Sequence, residues 1–75
     1  MLAVIRALDE NVGRSVSYTE LRYLFLFHGG QKGKLPEVLE KAVRRWPECL
    51  EYDMRIGDDR RLEVWVFVKK QVGPV

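Results

Sequence analysis

Leu50-Glu51-Tyr52-Asp53-Met54-Arg55-Ile56, followed by Gly57-Asp58-Asp59-Arg60-Arg61 and then by Leu62 to Lys69, is the stretch whose pattern separates this chain from a plain helical bundle. In the first segment Leu50, Tyr52, Met54 and Ile56 alternate with Glu51, Asp53 and Arg55, the period of a half-buried strand. Gly57 to Arg61 is a polar turn. Leu62 to Lys69 is rich in β-branched and aromatic residues and reads as a second strand. Leu62, Val64, Val66 and Val68 fall on one of its faces, Glu63, Trp65, Phe67 and Lys69 on the other. Apolar groups on both faces place this strand at the centre of a sheet, or under a covering segment or partner.

Upstream of the hairpin the period lengthens to that of a helix. Leu35, Val38, Leu39, Ala42, Val43 and Trp46 form one stripe, with Pro36 in the first turn and Pro47 as the stop. The other face carries Glu37, Glu40, Lys41, Arg44 and Arg45, and spacing pairs Glu37 with Lys41 and Glu40 with Arg44. The preceding helix has a capping box, Ser17-Tyr18-Thr19-Glu20, inside a hydrophobic staple of Val16 and Leu21. Leu21, Leu24, Phe25 and His28 make its stripe, and Tyr23, Leu26 and Phe27 widen it, predicting burial on more than one side. A first helix sets Met1, Val4, Ile5, Leu8 and Val12 on one face and ends at Asn11 and Gly13; Arg14 to Ser17 forms a small strand. The element order is α-β-α-α-β-β, that of an α+β winged helix in which the hairpin turn is the wing. The domain spans 1–70, and 71–75 are a C-terminal tail.

Length and composition agree with one thin core. The chain has 75 residues, 47% hydrophobic and 32% charged, which excludes a disordered segment and is too short for two cores. A single Cys excludes an internal disulfide framework and suits a cytoplasmic or nuclear location. The longest apolar run, Tyr23 to Phe27, is far below a membrane span, and Met1 to Ile5 is no signal peptide, so no membrane partner is expected. A net charge of +2 permits a polyanionic partner without requiring one.

Enzymatic chemistry finds little support. His28 and Cys49 are single copies and cannot assemble a zinc set, Asp58 and Asp59 are turn formers, and no enzyme activity, metal or cofactor is expected. The connector His28-Gly29-Gly30-Gln31-Lys32-Gly33-Lys34 is not a P-loop: His28 occupies the first glycine position and Leu35 follows where Ser or Thr is needed. Gly30-Gln31-Lys32-Gly33 also fits the GXXG loop of a KH domain, a minor alternative. Lys32 and Lys34, beside the N–H groups opening helix three, suit phosphate. Helix three presents Glu37 and Glu40 where a base-reading helix presents Arg or Asn, which disfavours sequence-specific duplex reading. The expected nucleic-acid-binding set is Lys32, Lys34, Lys41, Arg44, Arg45, Arg60 and Arg61, contacting the backbone of RNA or a single strand. Trp46, Trp65, Phe67 and Tyr52 are the aromatics able to stack on bases, and of these Trp46 reads as core. Trp65 and Phe67 are the alternative interaction face, for a protein partner or a second copy.

The run Gly29 to Leu35, then Val38-Leu39, an apolar residue before Pro47, and a strand with its hairpin, resembles the LOTUS (OST-HTH) domains of RNA-regulatory and germline proteins. The resemblance implies a small winged helix within a larger regulatory protein, binding RNA, including guanine-rich structured RNA, through Lys32, Lys34, Arg44 and Arg45. An extended subset of that family binds a DEAD-box helicase through a further C-terminal helix, which Gly73-Pro74 opposes here.

Overall fold

A computed structural model describes residues 1–73. The chain is a small α+β unit of three helices and one three-stranded antiparallel sheet. Helix α1 spans Leu2–Asp9, strand β1 Ser15–Ser17, helix α2 Tyr18–Phe27, helix α3 Leu35–Arg45, strand β2 Leu50–Ile56 and strand β3 Leu62–Val68.

The first helix is shorter than its apolar pattern implies. It buries Val4, Ala7 and Leu8, but the chain leaves the helix at Glu10, and Val12 and Met1 are exposed. The buried Asn11 amide donates to the Ala7 carbonyl at 3.0 Å, occupying an acceptor that a longer helix would have used. Gly13, at φ +84°, then turns the chain into β1, and its N–H donates to the Val68 carbonyl at 2.7 Å. Helix α2 starts where its cap requires: the Ser17 hydroxyl accepts from the Glu20 N–H at 3.1 Å. It buries Leu21 and Phe25 only, so burial on several sides is not what its extra aromatics achieve. No element among the described residues covers its outer face, where Tyr23 is 71% exposed beside Phe27. Helix α3 buries Leu35, Leu39 and Ala42, with Val38, Val43 and Trp46 packed partly against the core.

Strand β3 is central, in the order β1-β3-β2, one of the arrangements its two apolar faces allowed. Val16 pairs with Val66, Leu50 with Val68, and Ile56 with Leu62. The inner face is buried only at its proximal end, through Leu50, Val66 and Val68. Tyr52, Met54, Ile56 and Leu62, expected to be half-buried, run past the helical layer into solvent, with Ile56 76% and Leu62 65% exposed.

Residues 71–73 lie against the domain. The Asp9 carboxylate accepts the N–H of Val72 at 2.7 Å and of Gly73 at 3.0 Å, which brings Val72 onto the core. Pro74 and Val75, part of the expected tail, lie outside the described residues. Because charge-assisted bonds to a partly buried carboxylate exceed neutral ones, Asp9→Ala is expected to cost about 1–2 kcal/mol in urea denaturation. It should also accelerate amide exchange at Val72 and Gly73; unchanged exchange there would contradict the clasp.

Candidate functional site

The seven cations expected to face phosphate divide into two groups. Lys34 lies 3.8 Å and Lys41 3.6 Å from the same carboxylate, Glu37. Arg44 meets Glu40 at 2.7 Å, and Arg61 meets Asp59 at 3.6 Å. Each such exposed pair contributes little stability, yet each cancels most of the field its cation would project at a polyanion. Lys32, Arg45 and Arg60 carry no ion pair among the described residues. Arg45 leans over the Trp46 ring, 5.3 Å from its centroid, and Arg60 holds a left-handed turn position at φ +63°.

Lys32 does not stand alone. With Gly33 it forms one wall of a groove of about 190 Å³, and Tyr18, Arg22, Phe25, Leu26, Leu35 and Pro36 form the rest. Tyr18 and Arg22 face the same groove because residues four apart share a helix face. Arg22 is exposed and, like Lys32, has no carboxylate partner among the described residues. Tyr18 and Pro36 also line a second depression of about 400 Å³, completed by Leu39, Tyr52, Met54 and Val64. The two adjoin at Tyr18 and Pro36, which line both, and the channel so outlined is cationic at the connector and apolar with tyrosines toward the hairpin. Burial first, and then the charge of Glu40, raise the Tyr52 hydroxyl pKa above its ordinary value.

No family model, curated protein or solved structure matches the chain. The channel's chemistry therefore rests on its own residues.

Sequence reasoning named Lys32, and Tyr52 among the aromatics able to stack on bases, but not Tyr18 or Arg22. Tyr18 was absorbed by the capping box; the available signal was the Tyr18–Arg22 spacing.

The opposite sheet face, holding Trp65 and Phe67, is laced by polar contacts. Arg55 stacks over Trp65 at 4.0 Å, and the Trp65 indole N–H donates to Glu63 at 3.1 Å. Arg55 also donates to Asp53 at 2.9 Å, as does the Ser15 hydroxyl from across β3. Hydrogen bonds from Arg55 and then Ser15 lower the Asp53 pKa. A depressed carboxylate pKa gives stability that is present above the unfolded-state pKa and lost as pH falls through the folded one. The stability gap between wild type and Asp53→Asn is accordingly expected to be widest near neutral pH. It should close as pH drops below the ordinary Asp range of about 4, read as urea midpoints at each pH. A gap independent of pH would contradict it.

His28, the C-cap of α2, stacks on Phe27 and brings Nε2 to 3.3 Å from Glu10, without a well-directed hydrogen bond. Cys49 is buried, and that burial, followed by the neighbouring Glu48, raises its thiol pKa. No cluster of three His, Cys, Asp or Glu side chains able to hold a metal occurs among the described residues, and none of their helices is long and apolar enough to cross a membrane.

Proposed function

We propose that this chain is a winged-helix module that binds RNA, or another single-stranded nucleic acid, in the channel between the glycine-lysine connector and the hairpin. One observation carries the reading: Arg22 and Lys32, both without acidic partners among the described residues, line a groove that shares Tyr18 and Pro36 with the depression lined by Tyr52. Single strands are held by cations that track phosphates and by aromatic rings on which bases stack, without need of a base-reading helix. Duplex DNA suits the surface less, because Glu37 and Glu40 occupy the outer face of α3.

The winged-helix assignment is supported by the element order α-β-α-α-β-β and by β1 adding to the hairpin through β3. The likeness to LOTUS domains favours RNA among single strands, and the GXXG alternative at Gly30–Gly33 would use the same end of the channel. Binding requires no covalent chemistry, and the module acts without a cofactor.

An amide-shift titration with short single-stranded RNAs tests the reading. Shifts are expected at Tyr18, Arg22, Lys32, Gly33 and Tyr52. Shifts confined to β1, or none at millimolar RNA, would overturn it. A second reading, a protein-interaction module, is favoured by the apolar run Tyr52, Met54, Ile56 and Leu62; a titration silent with RNA would leave this reading in force.

A further inference from the structure

We infer that β2 is a self-complementary edge through which two copies of this chain join, continuing one sheet into the other. The inference concerns the backbone edge of β2, whose Tyr52 and Met54 side chains also line the channel, and it stands without the nucleic-acid reading.

Strand β2 is the outer strand of the β1-β3-β2 sheet, so one side of its backbone has no strand partner among the described residues. The hydrogen-bond phase shows which residues point outward. Lys69 donates to the Cys49 carbonyl at 2.7 Å, and Gly57 donates to the Arg61 carbonyl at 2.9 Å. With the register Glu51↔Phe67, Asp53↔Trp65 and Arg55↔Glu63, the odd-numbered residues of β2 bond to β3. By the alternation of an antiparallel ladder, the N–H and C=O groups of Tyr52, Met54 and Ile56 point away from the sheet. Leu50 is already satisfied, its N–H donating to the Trp46 carbonyl at 3.0 Å. Natural edges are guarded by proline, lysine, a bulge or a covering element. Leu50–Ile56 contains neither Pro nor Lys, pairs with β3 without a bulge, and leaves Tyr52, Met54 and Ile56 exposed.

Charge selects the occupant and the register. An antiparallel pairing of two β2 strands about a twofold axis centred on Met54 sets Met54 opposite Met54 and Tyr52 opposite Ile56 of the second copy. These are the residues with outward backbone groups, so each pair exchanges both of its hydrogen bonds. On the outer face the same register sets Asp53 opposite Arg55 of the second copy, twice, with no like charges opposed. Neighbouring registers fail: centring on Asp53 opposes two aspartates, on Arg55 two arginines, and on Tyr52 sets Glu51 against Asp53. The favoured register also joins the two exposed apolar strips on the inner face, removing Tyr52, Met54 and Ile56 from water together.

Sedimentation equilibrium of the full chain, without nucleic acid, tests the inference through two charge variants. Asp53→Arg and Arg55→Asp each oppose like charges in this register, so each alone is expected to weaken self-association about tenfold or more. Mixed in equal amounts, the two variants should regain a dimer. One then carries two arginines and the other two aspartates on the outer face of β2, so every cross-strand pair between them joins opposite charges. Met54→Pro, which removes one outward N–H and leaves the β3 ladder intact, should be monomeric with an unchanged far-ultraviolet spectrum. A wild-type chain that stays monomeric to about 1 mM would overturn the inference. So would an equal mixture no more associated than its components.

Discussion

Gly30→Ala is expected to destabilise the fold by about 2–3 kcal/mol, a large share of the total for a domain of this size. A methyl group at Gly30 would stand 2.5 Å from Cε2 and Cζ of Phe25, inside van der Waals contact. Phe25 is 3% exposed and packed in the core, so although its ring borders the groove, displacing it would break its core contacts. The backbone cannot yield either, because the Gly30 N–H donates to the Phe25 carbonyl at 2.8 Å. Gly29 and Gly33 give the contrast. Both hold positive φ, at +87° and +85°, but an added methyl meets nothing within 4 Å at either. Gly29→Ala and Gly33→Ala therefore carry only backbone strain, about 1 kcal/mol each. Urea midpoints of the three variants check the order; Gly30→Ala matching or exceeding Gly33→Ala in stability would contradict it.

The double variant Arg22→Glu/Lys32→Glu is expected to lower affinity for single-stranded RNA about 100-fold near 0.1 M salt. Two lost phosphate contacts account for roughly a 25-fold loss at the single-strand slope, and two repelling carboxylates supply the rest. The fold should be untouched, since both side chains are exposed and neither holds an ion pair among the described residues. Lys41→Glu/Arg44→Glu, with the same change of net charge, is the matched comparison. Those cations lie at 3.6 Å from Glu37 and 2.7 Å from Glu40, so the wild-type chain draws little net attraction from them and a smaller loss is expected. Filter-binding isotherms for both doubles separate a site built on unpaired cations from a general preference for positive charge. Equal losses would mean a general preference for positive charge and contradict the site.

What could be read from the sequence follows how local each signal is. The α2 boundary was fixed by four adjacent residues, and the Ser17 cap forms as the motif requires. The α3 ion pairs follow from spacing alone, and Lys41–Glu37 and Arg44–Glu40 occur at that spacing. The same pairs set a carboxylate beside each of these two cations, which is why the proposed groove rests on Arg22 and Lys32 instead. Non-local facts were out of reach. Helical periodicity shows that Tyr23 and Phe27 are apolar, not whether another element arrives to cover them, and none does among the described residues. Alternation marks Tyr52, Met54 and Ile56 as an inward face, but how far the helices extend over that face is decided by their lengths and crossing. Asp9 gives no sign in the sequence that it receives the backbone of Val72 and Gly73, more than sixty residues away. Glycine in the connector suggests positive φ, true at Gly29 and Gly33; Gly30 is there for the close approach of Phe25.

Affinity for single-stranded RNA measured across a salt series, for wild type and for Lys32→Ala, tests the central claim most directly. The account predicts that wild-type affinity falls linearly in a double-logarithmic plot against salt, and that Lys32→Ala lowers the slope by about 0.7, one single-strand phosphate contact. An affinity indifferent to salt, or a slope unchanged by Lys32→Ala, would contradict it.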